Sequence, residues 1–407
     1  MRFRGLRTMT LVAHPDMVKH VLEDRYENYP KSDRTVEKLS MLLGTSLFTA
    51  DGAGWQKQAR LTHPVLTGER TAAFDTAVTD AASETARRWD AAASAGAPLD
   101  LVEEMTRLSV DAGARILFGP DRGGATEEFV RAANTANEYV IAAVMAVGGP
   151  PDAPVRPAYR RFRAAAAHLD EVVRRTIEER RREPATDLVS ALLQTTDAES
   201  GESPTNDQVR NEAISFLHTM YTGVANALVW TWYVLATSPA VAERVRAELG
   251  DVLGRDQPDR ESLARLAYLD LTLQEVLRLY PPLWVFSHVA VADDEIDGYR
   301  VPAGTAVVLC PWITHRHPAF WSDPETFDPG RFAPGAGSDR HPYAYFPWGG
   351  GPRGCPAKGA ATAWVGLVLA TLVRRYDIEL VPGHVIKRVR EYVLRPSNGL
   401  PASVAVR

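Results

Sequence analysis

The stretch Phe346-Pro-Trp-Gly-Gly-Gly-Pro-Arg-Gly-Cys-Pro-Ala-Lys358 predicts how the rest of the chain is arranged. Cys355 follows a run of three glycines, with Arg353 two residues before it and a proline directly after it. From Ala360 onward apolar residues recur at helical spacing, so the cysteine lies in a glycine-rich loop just before a helix. Unpaired N–H groups and the helix dipole favour a thiolate there. Such a thiolate can ligate a metal or act as a nucleophile; the simplest alternative is a buried cysteine in a turn.

The composition is that of a large packed protein. The chain has 407 residues, of which 45% are hydrophobic, and its net charge of −5 gives no case for nucleic-acid binding. Cys310 and Cys355 are the only cysteines, so we expect a reducing compartment rather than a disulfide framework. There is no signal peptide, and no apolar stretch approaches the roughly 20 residues that span a bilayer. We therefore expect a soluble, cytoplasmic protein.

Helical patterns dominate the first half of the chain. Between Arg70 and Leu193 the sequence is rich in Ala, Arg and Glu, and its Gly and Pro breaks suit a helical bundle. Thr205–Gln208 resembles a capping box and opens a long apolar helix that we expect to reach about Thr237 through the interior. Gly223 interrupts this helix at a cost of about 1 kcal/mol relative to alanine, which indicates that something approaches the backbone there. Strands are predicted at Met1–Ala13 (a strand pair), Ile296–Val301 and Thr305–Leu309.

Three short motifs then follow in order: Glu275-Val-Leu-Arg278, Phe327-Asp-Pro-Gly-Arg-Phe332 and Gly351-Pro-Arg-Gly-Cys355. They resemble, respectively, the Glu-x-x-Arg pair, the segment that adds a second arginine and the haem-ligand loop of the cytochrome P450 family. A lone Glu-x-x-Arg is common on helices, but the ordered set is highly specific. The resemblance implies a mainly α fold with small β-sheets (α+β), as one domain over residues 1–407. Haem would lie between the central helix and the cysteine loop, and the family's leading helix would be absent.

The resemblance also implies haem b, with Cys355 as its axial thiolate and metal ligand. Arg353 and His288 would meet the haem propionates, His288 standing where the family usually has arginine. Trp55 matches a propionate-contacting tryptophan, although it can equally be a core anchor, and His288 can be an ordinary loop histidine. Further implied haem contacts are Arg60, His63, Trp348 and Gly349. Expected members of a structural ion-pair network are Glu275, Arg278 and Arg331.

The central helix departs from the family at the residues that deliver protons. Where the family has a small residue–Gly–x–acid–Thr–Thr run, this chain has Thr219-Met-Tyr-Thr-Gly-Val224. Thr222 takes the acid position and Gly223 the position of the proton-delivering threonine. In the interpretation we favour, the substrate supplies a hydroxyl, an amine or a bound water. Otherwise Thr219 or Thr222 acts from a shifted register, or the enzyme uses peroxide, nitric oxide or a rearrangement instead of ordinary dioxygen scission.

By resemblance, the substrate pocket is lined by residues 41–49, 217–222, 283–286 and 392–394. Their aromatic content favours a small apolar or aromatic metabolite, oxidised with dioxygen in secondary metabolism by hydroxylation, ring closure or coupling. The candidate substrate residues are Leu217, Met220, Tyr221, Trp284, Val285, Phe286 and Tyr392.

The chain carries no flavin or nicotinamide fingerprint, so its electrons must come from separate proteins. The resemblance implies ferredoxin and ferredoxin reductase, with Lys358 and Arg353 as candidates for docking an acidic ferredoxin. We expect a monomer. A haem-binding protein or sensor that has lost oxygen activation is the second hypothesis, because the acid–threonine pair is missing.

Overall fold

The computed structural model describes residues 8–119, 125–145, 156–390 and 392–407. Helices form most of it, and four small sheets lie around them, as expected for a mainly α fold. The α-helices are α1 Pro15–Lys19, α2 Asp33–Leu43, α3 Gly52–Leu66, α4 Asp75–Ala95, α5 Leu101–Phe118, α6 Glu127–Met145, α7 Pro157–Arg182, α8 Leu188–Leu193, α9 Asn206–Thr219, α10 Ala225–Thr237, α11 Pro239–Leu253, α12 Arg260–Leu263, α13 Ala267–Leu279, α14 Pro311–Thr314 and α15 Lys358–Leu372.

The sheets are short and peripheral. The strands are β1 Met9–Val12, β2 Leu99–Asp100, β3 Phe286–Val289, β4 Asp294–Ile296, β5 Tyr299–Val301, β6 Ala306–Leu309, β7 Tyr376–Leu380, β8 Arg388–Arg390, β9 Leu394–Pro396 and β10 Pro401–Val406. Their order is β1-β6-β3 in one sheet and β2-β10-β7 in another, with hairpins β4-β5 and β8-β9. Strand β1 pairs in parallel with β6, Met9 lying opposite Ala306. The predicted strand pair at Met1–Ala13 therefore contributes β1 to this sheet, and its residues 1–7 lie outside the described residues.

The central helix begins at the predicted capping box. Thr205 Oγ1 accepts a hydrogen bond from the Gln208 N–H at 3.2 Å, and the Thr205 N–H donates to Gln208 Oε1 at 2.9 Å. Helix α9 continues through a π-helical turn at Met220–Val224 into α10, which ends at Thr237 as expected. A π-turn inside an α-helix frequently marks a functional site. Here the turn contains Gly223.

Helix α13 fixes the long meander that precedes the cysteine loop. Glu275 and Arg278, both fully buried, form a bidentate pair, with the Arg278 Nε 2.6 Å from Glu275 Oε2. Arg278 also donates to the carbonyls of His315 (2.9 Å), Pro324 (2.7 Å) and Thr326 (3.1 Å). Glu275 accepts the Asp328 N–H at 2.9 Å and lies 3.4 Å from Arg331 Nε. The three residues expected to form a network are therefore together.

Replacing Glu275 with leucine should destabilise the protein strongly, because Arg278 would keep a buried positive charge with no carboxylate beside it. Breaking such a pair costs about 3–5 kcal/mol. Urea unfolding followed by circular dichroism measures this loss. Asp293→Ala is the matched control, because it breaks the Asp293–Arg300 pair, whose side chains are 58% and 78% exposed. An equal effect of both substitutions would contradict the assignment.

Candidate active site

Cys355 lies in a hollow of about 140 Å³ just before α15. The hollow is formed by the loop predicted to surround it, and the cysteine is solvent-accessible there, whereas Cys310 is buried. The Cys355 N–H donates to the Trp348 carbonyl at 2.9 Å, which closes the loop around the thiol. The residues lining the hollow are Tyr345, Phe346, Pro347, Trp348, Gly349, Gly354, Cys355 and Lys358. Trp348 and Gly349 thus share one cavity with the thiol, as expected from the sequence.

The pKa of this thiol is shifted in the direction opposite to the one expected from its place before a helix, where a thiolate would be favoured. Although the hollow leaves the residue open to solvent, the protein atoms packed around the sulfur desolvate the thiolate and raise the pKa of Cys355 above its ordinary value. The Ala357 N–H and the Lys358 charge offset this only in part. The free thiol therefore keeps its proton, and coordination of a metal cation would have to displace it.

Two glycines of the loop adopt backbone conformations that other residues avoid. Gly349 has φ +71° and Gly351 has φ +61°. At Gly351 a Cβ atom would also collide with the Leu22 carbonyl oxygen. The glycine run is therefore required for the loop to pack against the residues after α1, and it holds Cys355 at a fixed position.

A cationic cluster joins the cysteine loop to the start of α3. The guanidinium of Arg353 donates to the Tyr26 and Tyr29 carbonyls at 2.8 and 3.1 Å, and it pairs with Asp51 at 2.5 Å. It also lies 5.7 Å from the Trp55 ring centroid. Lys31, which the sequence analysis did not identify, donates its backbone N–H to the Asp51 carboxylate at 2.5 Å. Lys31 also has a burial-lowered pKa of about 8.

His288 belongs to the same region, since Lys31 forms an isolated antiparallel bridge with it. His288 is buried, and burial followed by the Arg353 charge lowers its pKa to about 4. Its Nδ1 and the Nε of Arg353 are buried without a hydrogen-bond partner in the described part of the chain. The neutral imidazole of His288 donates to the neighbouring backbone of Tyr29 and Pro30, so its unpartnered Nδ1 is an acceptor. The unpartnered Nε–H of Arg353 is a donor, and it calls for an acceptor such as a carboxylate, because buried polar groups are normally paired.

Arg60 and His63 were also predicted to contact the cofactor. Arg60 pairs with Asp197 at 2.5 Å and with Glu199 at 3.1 Å, and its contact with a cofactor stays a prediction. His63 is partly buried, and burial lowers its pKa. No contact among the described residues joins either side chain to the Arg353 cluster.

The residues present fit a haem. The soft sulfur of Cys355 is an iron ligand of the required kind, and the cluster of Arg353, His288 and Trp55 suits the anionic carboxylates at the edge of a porphyrin. The unpartnered Nε–H of Arg353, a donor with no acceptor in the described part of the chain, is the observation that supports this fit.

His315 ties the cysteine loop to α13. Its Nδ1 lies 3.1 Å from the Arg278 carbonyl and its Nε2 accepts the Phe346 N–H at 2.9 Å. A carbonyl can only accept, so Nδ1 carries the proton and Nε2 is bare. Burial, as the largest cause, lowers the pKa of His315 to about 3, so the imidazole is neutral.

The central helix packs against α15, the helix that follows the cysteine loop, and the rings of Phe216 and Trp364 meet edge-on there with centroids 6.0 Å apart. Thr219 Oγ1 donates to the Phe216 carbonyl and Thr222 Oγ1 to the His218 carbonyl, both at 2.8 Å. Both hydroxyl protons are thus engaged by the helix backbone. A Cβ built on Gly223 would meet no atom of the described chain within 4 Å. The glycine therefore borders open space, which leaves room for a bound molecule.

The predicted substrate residues separate into groups. Leu217 and Met220 are within 3.4 Å of a Cβ built on Gly113 of α5, so they pack into the helical core. Tyr221 is also buried in that core. Trp284 is partly buried against the cluster around Trp230, and Phe286 packs beside His288, their ring centroids 5.8 Å apart. Val285, between them, is partly buried.

Tyr392, by contrast, stacks on His218, with centroids 6.3 Å apart and rings inclined by 27°. Phe48 meets the same imidazole edge-on at 5.8 Å. The structure thus brings together three of the four segments expected to line the pocket. The predicted range 217–222 includes His218, but the sequence analysis did not single it out, although an ionisable residue inside an otherwise apolar helix was a visible signal.

An accessible cysteine in a glycine-rich loop, within a mainly α fold whose central helix carries a π-turn, fits the class of haem-thiolate oxidoreductases. The family model "Cytochrome P450" matches residues 2–401, and the chain belongs to the cytochrome P450 family. It is a monooxygenase-type oxidoreductase of that family. The family resemblance stated from the sequence motifs is therefore confirmed.

Named relatives support this placement. The chain is 29% identical to cyclooctatin synthase of Streptomyces melanosporofaciens, over 94% of this chain and 83% of that protein. It is 31% identical to cyclooctat-9-en-7-ol 5-monooxygenase of the same organism, over 92% and 81%. Among solved structures, the retinoic-acid-bound cyanobacterial CYP120A1 superposes with a TM-score of 0.88 at 21% identity, over 98% and 89%, which shows the fold alone. Within the described residues, no helix is both long and apolar enough to cross a membrane.

The pH dependence of stability should report on His315. Between pH 6.5 and about 3 the unfolded imidazole is protonated while the folded one is not, so the unfolding free energy falls as the pH falls through this window. One proton corresponds to about 1.4 kcal/mol per pH unit. Urea unfolding between pH 4 and 7 should give a shallower slope for His315→Gln than for the wild-type protein. Equal slopes would show that His315 is protonated in the folded state.

Proposed function

We propose that this chain holds haem b through the thiolate of Cys355 and oxidises a small apolar metabolite with dioxygen. The observation that carries the proposal is the accessible Cys355 thiol in its glycine-lined hollow, with the unpartnered Nε–H of Arg353 in the same loop. In this arrangement Arg353, His288 and Trp55 bind the propionate edge, and Trp348 covers the sulfur from the side of the hollow.

The reaction is the insertion of one oxygen atom into a C–H bond. One atom of dioxygen enters the product as a hydroxyl and the other leaves as water, which consumes two electrons and two protons. When bound, a haem with a thiolate ligand supplies electron density that favours cleavage of the O–O bond. The chain's own residues must position the substrate, exclude water and provide a route for the protons.

The protons have no evident donor on the central helix. The hydroxyls of Thr219 and Thr222 already donate to helix carbonyls, and Gly223 has no side chain. Donation from the substrate, or from a water it holds beside Gly223, is therefore the route we propose. The same arrangement suits intramolecular ring closure or coupling, because the substrate then carries its own polar group to the reacting centre.

The substrate class is a small, apolar, cyclic molecule of secondary metabolism. The relatives named above support this, since one is named for cyclooctatin and the other for cyclooctat-9-en-7-ol. The aromatic rings of Phe48 and Tyr392 also favour an apolar substrate.

We propose ferredoxin and its reductase as the electron donors. Of the two docking candidates, only Lys358 is exposed; Arg353 is occupied by Asp51 and by two carbonyls. Docking of an acidic partner therefore depends on Lys358 rather than on Arg353.

Turnover with a surrogate redox system tests the proposed function. The haem-loaded protein, given NADPH, ferredoxin reductase and ferredoxin, should convert a cyclic hydrocarbon or cyclic alcohol into a product with one added oxygen from ¹⁸O₂. Product formed only from hydrogen peroxide would favour the alternative of a peroxide-using catalyst. No product under either condition, with the haem bound, would favour a binding protein or sensor.

Restoring the usual pair tests the proton route. Thr222→Asp with Gly223→Thr should fold, because the added side chain at 223 enters open space. If the substrate already delivers protons, the fraction of NADPH electrons recovered in the native product should stay within about twofold of wild type. Thr222→Asp alone is the matched control. A marked rise in coupling for the double variant alone would contradict substrate-assisted delivery.

A further inference from the structure

His218 is a buried ionisable residue that the proposed reaction has not used. It lies at the end of α9, directly before Thr219, and only 1% of its surface is exposed. Burial lowers its pKa to about 4, so the imidazole is neutral at physiological pH. It is also tied to the π-turn, because the Thr222 hydroxyl donates to the His218 carbonyl at 2.8 Å.

The hydrogen bonds of Asn137 fix the tautomer of this imidazole. Asn137 Nδ2 donates to the Ala133 carbonyl at 2.8 Å, which leaves the amide oxygen facing His218. That Oδ1 lies 2.5 Å from His218 Nδ1. Since an amide oxygen only accepts, the proton is on Nδ1 and Nε2 is a bare acceptor.

The Nε2 atom has no hydrogen-bond partner in the described part of the chain. The flanking rings of Phe48 and Tyr392 come from two segments expected to line the pocket, and α6 supplies Asn137. A lone acceptor inside an aromatic wall is costly to leave unpaired, and native interiors rarely do so. Its partner is therefore to be sought in the ligand.

We propose that Nε2 of His218 anchors the substrate by accepting a hydrogen bond from a hydroxyl or N–H group on an otherwise apolar molecule. This inference rests on the proposed function, because it places the substrate on the side of the central helix where His218 lies. It narrows the substrate class to donors such as alcohols. Ethers and hydrocarbons of the same shape would leave Nε2 unpaired, and a site built around a polar group discriminates against analogues that lack its partner.

Three probes with one carbon frame test the proposal: borneol, bornyl methyl ether and bornane. Binding to the haem-loaded protein is measured by calorimetry and by the change in the Soret band, both independent of turnover. The wild-type protein should bind borneol at least roughly tenfold more tightly than the ether or the hydrocarbon. His218→Leu should reduce this preference to within about twofold.

Two further variants separate anchoring from a structural role. Asn137→Leu removes the acceptor that holds the proton on Nδ1, so the other tautomer becomes available and the ether should gain affinity relative to borneol. Thr231→Val, which deletes a buried hydroxyl bonded to Ala227 on α10, is the matched control and should keep the wild-type preference.

The proposal is overturned if wild-type protein binds the alcohol and the ether equally, if it shows no saturable binding of the alcohol, or if His218→Leu keeps the preference. Nitrogen-15 NMR of the ferrous carbon monoxide form gives a ligand-independent check, in which a protonated Nε2 would also overturn it. The two failures give different results. If Cys355 does not hold a haem, the haem-loaded protein lacks the thiolate signature in its carbon monoxide spectrum. If only the role of His218 is wrong, that signature is present and the preference for the alcohol is not.

Discussion

The buried pair of Glu275 and Arg278 is the interaction on which the site depends. These two residues have no solvent exposure, so their charges are compensated by protein groups: by each other, by the carbonyls around Arg278, and by Arg331 and the Asp328 N–H beside Glu275. The guanidinium of Arg278 also donates hydrogen bonds to backbone carbonyls of the meander after α14. The backbone carbonyl of Arg278 in turn accepts a hydrogen bond from His315. His315 in turn accepts the Phe346 N–H at the start of the cysteine loop. One chain of polar contacts therefore runs from α13 to the loop that carries Cys355.

The two sides of the site are built on different principles. On the cysteine side, backbone glycines and charged contacts leave little freedom, and the Nε–H of Arg353 is a buried donor without an acceptor in the described part of the chain. On the side of the central helix, the π-turn at Met220–Val224 opens space at Gly223 and engages the nearby hydroxyls internally. The residues at the usual acid–threonine position, Thr222 and Gly223, therefore offer no free hydroxyl proton. His218, one turn earlier, is the polar group that remains available there.

Much of this arrangement could be read from the sequence. The capping box at Thr205, the helix end at Thr237 and the Glu275–Arg278–Arg331 set depend on local spacing and ordered motifs, and the structure has all of them. Other contacts depend on which helices come together in the fold. They include the ion pair between Arg60 and Asp197 and the packing of Leu217 and Met220 against Gly113. Spacing within one helix carries no such information. The raised pKa of Cys355 has the same origin, because desolvation is set by the neighbours of the loop.

The central claim is that Cys355 is the thiolate ligand of a haem. The carbon monoxide difference spectrum of the dithionite-reduced protein measures this most directly, since only a thiolate ligand moves the Soret band to about 450 nm. The wild-type protein and a Cys310→Ser variant should both show this band, and Cys355→Ser should lose it while the fold is retained. A band near 420 nm in freshly prepared wild-type protein, or a 450 nm band that persists in Cys355→Ser, would contradict the account.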